Sequence, residues 1–582
     1  MYANPVIPGF HPDPSVCRVG ADHYLVTSSF EWFPGVPIFH SRDLVHWRQL
    51  GHVLDRPSQL DLDGVRPSGG IYAPTIRHHQ GVFYMITTLM DEPGNFLVTA
   101  TDPAGPWSDP VWFPETRGFD PSLFFDDDGR AWMTGTRPRD TERYAGDSEI
   151  WLREFDPATL KLLGEEHVIW EAAQRGGVWC EGPHIYRAGA HYYLLTSEGG
   201  TAEDHAVMVA RAERVTGPYH GNPRNPVLTH RHLGLRHPIT SVGHPDLVRN
   251  AEGEWWSVLL ATRPYGPPAG GRPPAESAGS PVTPTGRPSG ESADLPGGPS
   301  GAGASVPGLH ATRSHTGSAG SAGSAESRGD SVDDQPTTAA VRASKGYNLG
   351  RETFLTRVRW EDDWPVFDQV EPYAQAPSTP VRRWPATPAC DHFDAPRLAP
   401  VWNHLRTPRE PYWSLADSRL ILRARPQTLR ERSAPSLVAR RQQHISFAAH
   451  TVMEFRPRGK ECAGLVLFQN DDFHITLVLT AHGLELTRRS GGTDTLLARA
   501  DVVPAGPLWL GVEAHGQDYQ ARYALRPGEW TDLAAPVDGR VLGSTVAGGF
   551  TGAMIGLYAS SNGHESTGTA AFDWFEYLPL PE

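Results

Sequence analysis

The chain has 582 residues, room for two or three domains, and carries 52 Lys+Arg against 67 Asp+Glu for a formal net charge of −15. That acidity, with no basic run able to track a phosphate backbone, speaks against nucleic acid as a partner. No apolar run approaches the ~18 residues of a membrane span, and the four cysteines, Cys17, Cys180, Cys390 and Cys462, lie too far apart to suggest a zinc site or a disulfide framework.

From Met1 the sequence runs straight into strand-like residues without a charged, apolar or cleavage region, so a cytoplasmic protein is expected. The segment Asn4 to Ser15 sets Asp13 between Pro12 and Pro14. Proline fixes its own φ and disfavours helical geometry in the residue before it, so Asp13 is expected to be a stiffly held, extended acid at the mouth of a strand. For one Asp-Pro pair, an ordinary turn would explain as much. The pattern, however, returns. Pro14, Pro74, Pro121, Pro183 and Pro245 each open a strand that a Gly-containing turn connects to an aromatic-rich second strand, such as His191-Tyr-Tyr-Leu-Leu-Thr-Ser197. Further strand signals fill the intervals, Phe96 to Ala100 and Val207 to Ala210 among them. Four short strands repeated five times, without a long helix, predict an all-β five-bladed propeller over residues 1–371.

Residues 266–344 interrupt the last blade with Gly, Pro, Ser, Ala and Thr, too few apolar side chains to offset chain entropy, and are predicted to be a disordered insertion. A Pro-rich linker is expected over 372–388. Residues 389–582 are again strand-rich, without the repeat, and predict a jelly-roll, concanavalin-like β-sandwich.

In a propeller the first strand of every blade lines the central channel. The five strand mouths are read as Asp13, Ala73, Asp120, Glu181 and His244, which converge three carboxylates and a histidine on one funnel. Like charges so close disfavour joint ionisation, so at least one acid is expected to hold a proton near neutrality, as a general acid opposite a general base requires. Two carboxylates flanking one bond point to glycoside hydrolysis, with Asp13 activating water, Glu181 protonating the leaving oxygen and Asp120 setting their charge state. Phe30, Trp32, Phe33 and Tyr72 stand where they can wall a sugar site, with ordinary packing as the competing explanation.

The motifs Pro8 to Ser15, Thr27 to Pro37, Gly70-Ile-Tyr-Ala-Pro74, Phe119-Asp-Pro-Ser-Leu-Phe124, Glu181-Gly-Pro-His-Ile-Tyr186, Glu198-Gly-Gly-Thr201 and Leu349-Gly-Arg-Glu-Thr353 together resemble glycoside hydrolase family 43, in particular its β-xylosidases with an appended sandwich. The resemblance implies an inverting exo-β-1,4-xylosidase acting on xylooligosaccharides, often with α-L-arabinofuranosidase side activity. It implies Asp13 as general base, Asp120 as pKa modulator and Glu181 as general acid. Arg351 would bind a sugar hydroxyl or orient Asp120, His244 would sit near the channel floor, and Phe30, Tyr72 and Thr201 would shape the pocket, with Phe550 of the sandwich closing it. Tyr72 departs from the Trp common at its position. Some relatives hold Ca²⁺ in the channel near the position of His244; no carboxylate cage at readable spacing supports that here, and no metal ligand or required cofactor is assigned. The rival readings are an arabinofuranosidase or arabinan-degrading enzyme on the same scaffold, and a non-catalytic carbohydrate-binding propeller. Self-association into a homo-oligomer stays open.

Overall fold

The computed structural model describes residues 1–90, 93–234, 237–265 and 346–581; the insertion expected at 266–344 lies outside them. The architecture is all-β, a five-bladed propeller followed by a β-sandwich, as the repeats predict. Among the described residues the helical turns are Gly539–Leu542 and Ser544–Ala547, and no helix is long and apolar enough to cross a membrane.

Blades 1 to 5 are four-stranded antiparallel sheets whose innermost strands are Ser15–Val19, Ile71–His79, Phe119–Phe125, Glu181–Ala188 and Thr240–Arg249. The fourth blade gains a short extra strand, Leu228–Thr229, and the fifth draws its third and fourth strands, Glu352–Glu361 and Trp364–Phe367, from beyond residue 345. The N-terminal segment closes the ring. Tyr2–Ala3 pairs with Tyr373–Ala374, and the Asn4 side-chain amide donates to the Leu355 and Glu371 carbonyls.

The core lies between blades, and strand periodicity explains its layout. Successive side chains of a strand point to opposite faces. Tyr192 and Leu194 therefore pack against blade 3 with Trp132 and Ile150, while Tyr193 and Leu195 pack against blade 5 with Leu259 and Phe354. A strand covered on both faces needs no polar alternation, so the second strands read as near-continuous apolar runs.

Each proline at a channel-strand mouth lacks the N–H to continue the ladder. The pairing accordingly slips at Tyr72/Thr75, Phe119/Ser122, Glu181/His184 and Gly243/Asp246. Such bulges re-aim side chains. In four of the five blades the residue ahead of the proline is left-handed rather than extended, contrary to the sequence expectation for Asp13. φ is +54° at Asp13, +52° at Asp120, +60° at Gly182 and +51° at His244. Left-handed geometry at non-glycine residues is strained and is held only where the surroundings over-determine it. The fourth blade also corrects the register of the expected set. Gly182, not Glu181, occupies the position equivalent to Asp13, and Glu181 stands one residue earlier.

The sandwich buries its own apolar core between sheets of nine and eight strands. The eight-stranded sheet ends in a strand of the propeller, because Trp32–Phe33 pairs with His404–Leu405. Trp32 and Phe33 are consequently buried, Trp32 edge-on to Phe468 at 5.9 Å and Phe33 in the apolar core shared by blades 1 and 2. They pack rather than wall a sugar site. Phe10, Phe30 and Trp32 of the propeller share one core with Val466, Phe468, Met554 and Tyr558 of the sandwich, each buried aromatic contributing roughly 1.5–3 kcal/mol. Residues 372–388 lie along blade 1, where Trp384 packs on His40 and under the Arg48 guanidinium at 3.9 Å.

Candidate active site

The blade mouths bring Asp13, Asp120, Glu181 and His244 to one end of the channel, and the loop before Glu352–Glu361 adds Arg351. Asp13, Asp120, His244 and Arg351 are all buried. One Asp13 oxygen accepts from the Ser28 hydroxyl at 2.6 Å and the other from the Arg351 guanidinium at 3.1 Å. The Nδ1 of His244 lies 3.9 Å from that second oxygen. Asp120 accepts the Gly182 N–H at 3.1 Å. Gly182 is required by more than its φ, since a Cβ there would lie 3.0 Å from the His244 ring. The His244 N–H donates to Ser197 Oγ at 2.7 Å.

These contacts divide the acids. Burial works against the Asp13 charge, yet Arg351, His244 and the Ser28 hydroxyl outweigh it and hold the carboxyl below its usual range. Burial pushes Asp120 well above that range, and the charges of Glu181 and Asp13 add to the effect. Burial, with the Asp13 charge behind it, pushes Glu181 up to about 8. Burial also depresses His244 and takes His205 down to about 3, so both imidazoles are neutral at pH 7. The site therefore carries one carboxylate paired with one guanidinium, beside two carboxylic acids whose protonated forms burial and the Asp13 charge favour.

Phe30, Tyr72 and Phe550 form an aromatic corner beside this cluster. Phe30 meets Tyr72 edge-on at 5.0 Å and stacks with Phe550 at 6.0 Å, and the Arg351 guanidinium lies 5.8 and 5.3 Å from the Phe30 and Phe550 rings. Thr201, Ser241, Thr262, Arg351 and Phe550 line a cavity of ≈ 360 Å³, within the size range of small-ligand sites. The partner of Arg351 is Asp13 rather than Asp120, and His244 sits beside Asp13.

Sequence reading passed over Ser28, Ser197 and His205, whose Nδ1 lies 3.2 Å from the Ser241 carbonyl. It also passed over a polar hub below the acids. Asp246 accepts from Ser15 Oγ at 2.6 Å, from the Val16 N–H at 3.0 Å, from both terminal nitrogens of Arg77 at 2.8 and 3.2 Å, and from the Tyr186 hydroxyl. Arg77 also donates to the Leu123 carbonyl at 3.2 Å and meets His184 Nδ1 at 3.0 Å. All five blades contribute, and Asp246 directly after His244-Pro245 was the readable signal. The hub bears on a channel cation. Calcium takes six to eight oxygens, whereas the carboxylate here is engaged by an arginine, and among the described residues no group of three His, Cys, Asp or Glu is placed to hold a metal.

The geometry agrees with what the chain is similar to. Residues 2–287 match the model of glycosyl hydrolases family 43, and residues 390–578 that of the β-xylosidase C-terminal concanavalin A-like domain. A xylosidase/arabinosidase of Butyrivibrio fibrisolvens is 38% identical, covering 98% of each chain. A non-reducing end α-L-arabinofuranosidase of Bacteroides ovatus is 32% identical over 100% of this chain and 95% of its own. The crystal structure of a xylan β-1,4-xylosidase from Bacillus halodurans superposes with a TM-score of 0.80 at 31% identity, covering 99% of this chain and 100% of that one. With matching models over both domains and relatives similar along their whole length, this chain belongs to glycoside hydrolase family 43.

Proposed function

We propose that the enzyme is an inverting, exo-acting β-1,4-xylosidase that releases xylose from the non-reducing ends of xylooligosaccharides, with α-L-arabinofuranosidase activity at the same site. The observation that carries this reading is the split of charge among the acids: Asp13 ionised against Arg351, Glu181 protonated near neutrality. Asp13 takes a proton from the attacking water as its oxygen bonds to the anomeric carbon. Glu181 gives its proton to the departing glycosidic oxygen as that bond breaks. Asp120, beside Glu181 and raised by its charge, modulates the charge state of the acid pair. The corner of Phe30, Tyr72 and Phe550 supplies an apolar face for one terminal sugar, with Arg351 and Thr201 offering polar contacts.

Xylose is preferred over arabinofuranose because most of the full-length relatives compared carry xylosidase names, for example the β-xylosidase of Bacillus subtilis at 31% identity. The arabinofuranosidase of Bacteroides ovatus keeps the second reading in play. Rates on 4-nitrophenyl β-D-xylopyranoside and 4-nitrophenyl α-L-arabinofuranoside separate the two, and kcat/KM higher on the arabinoside would reverse the order. The Asp13→Asn variant should lose roughly 10²–10⁴ in kcat on either substrate while staying folded. Near-normal turnover would remove Asp13 from the mechanism, whereas no turnover by the wild type on either substrate would leave a binding propeller as the better description.

A further inference from the structure

Three aromatic rings meet at the sugar corner, yet they come from three separate parts of the chain. Phe30 follows the second strand of blade 1, Tyr72 opens blade 2, and Phe550 sits on the sandwich loop after Ser544–Ala547. Ring packing alone leaves such an assembly free to slide, because dispersion contacts are non-directional. Hydrogen bonds fix its register, and they converge on one residue.

Ser68 is buried and holds φ at +57°, a conformation that costs a non-glycine residue energy and persists only when its surroundings impose it. Its hydroxyl oxygen accepts the Phe550 N–H at 2.8 Å. Its carbonyl accepts the Tyr72 hydroxyl at 2.7 Å. Its own N–H donates to Glu31 Oε2 at 3.1 Å, and Glu31 is the residue after Phe30. One serine therefore ties all three aromatic segments. The sandwich loop approaches so closely that a Cβ on Gly549, itself at φ +80°, would stand 2.5 Å from Ser68 Oγ. The rest of the same propeller loop is clasped by the sandwich as well. The Thr407 hydroxyl donates to the Leu60 carbonyl at 2.8 Å, and the fully buried Arg406 donates Nε–H to the Val65 carbonyl at 2.7 Å.

We infer that Ser68 is a positioning residue for sugar binding: through its hydroxyl it sets the Phe550 segment of the sandwich against the propeller pocket. It touches neither Asp13, Asp120 nor Glu181 in any hydrogen bond described, so its effect falls on how the terminal sugar is held rather than on proton transfer. The inference rests on the proposed glycosidase reading, with Phe550 facing the bound sugar.

The test is a double-mutant cycle on the full-length enzyme, using whichever nitrophenyl glycoside the wild type cleaves better. Ser68→Ala deletes the hydroxyl and keeps the carbonyl that holds Tyr72. Losing one buried hydrogen bond should raise KM roughly five-fold, with a smaller change in kcat. Ser68→Gly deletes the same hydroxyl and suits φ +57°, so it replaces Ser68→Ala should that variant fail to fold. Gly549→Ala should raise KM similarly by pushing the two segments apart. In a Phe550→Ala background, Ser68→Ala should change kcat/KM by less than two-fold, because the group it acts through has gone. Wild-type KM in both Ser68 variants, a loss confined to kcat, or effects that simply multiply with Phe550→Ala would each overturn the assignment. Failure of the glycosidase reading would show separately, as no turnover by wild type on either substrate.

Discussion

The proton on Glu181 sets a testable alkaline limit. Burial and the Asp13 charge place its titration at about 8 instead of the ordinary 4.5. At pH 7 a group titrating at about 8 is roughly 90% protonated, whereas one at 4.5 would be about 0.3% protonated, a difference of about 300-fold in competent enzyme. kcat/KM on an alkyl or weakly activated aryl β-xyloside, which needs the acid, should hold steady through neutrality. It should then fall about ten-fold per pH unit above about 8. The acidic limb belongs to Asp13, which must be ionised. Its depressed titration predicts that activity persists down to the ordinary carboxylate range and fails only below it. A 2,4-dinitrophenyl xyloside, whose leaving group needs little protonation, should keep more of its rate on the alkaline side. Measuring thermal unfolding at each pH separates titration from loss of fold. An alkaline limb near pH 5 on the weakly activated substrate would refute the argument, since burial and Asp13 would then not be holding the proton.

Three further outcomes follow from the same geometry. Arg77→Met leaves Asp246 without its cation in a buried hub, which should cost about 3–5 kcal/mol of stability and lower Tm. Because Arg77 is the chief partner that overcomes burial and depresses Asp246, this contribution is present above the unfolded carboxylate value and fades as pH falls through the folded one, so the deficit should be full at pH 7 and shrink in acid. An unchanged Tm, or an Arg77→Met/Asp246→Asn pair no better than Arg77→Met alone, counts against the hub. Proton NMR of early hydrolysis should show α-xylose before mutarotation; β-xylose first would mean retention and a nucleophilic carboxylate. Activity after exhaustive dialysis against EDTA should match the untreated enzyme within two-fold, and a loss restored by Ca²⁺ would contradict the arginine-filled channel.

Much of the fold was legible because its code is local. Each blade repeats proline, turn glycine and a second strand apolar on both faces, and those cues survive without knowledge of the partner strand. The acids were legible for the same reason, being tied to the prolines. What escaped was geometry that depends on distant neighbours. Asp13 was expected to be extended, but Ser28 and Arg351, the latter 338 positions away, clasp its carboxylate, and the chain there adopts φ +54°. Glu181 looked equivalent to Asp13 because Gly182 offers no side chain to read, although the glycine takes the shared backbone position. Trp32 looked like a sugar platform because nothing local reveals that a two-residue strand will join a sheet formed some 370 residues later. Ser68 carries no motif, and its contact with Phe550 spans 482 positions.

The arrangement also explains why three acids can share one buried funnel. Several carboxylates without compensation would be prohibitively costly to bury, since each ion loses its hydration. Here the loop before Glu352–Glu361 supplies a cation, Arg351, and it is bonded to Asp13. Burial and the Asp13 charge favour the protonated forms of the remaining acids and outweigh the opposing pull of the Arg351 charge. The neutral imidazoles of His244 and His205 add no second cation to reverse this. Thus the Asp13 charge that the ion pair stabilises also helps to keep the acid protonated. A substitution that removes the Arg351 charge is expected to raise the Asp13 titration and weaken the base, while it takes from Glu181 a charge that opposes its proton.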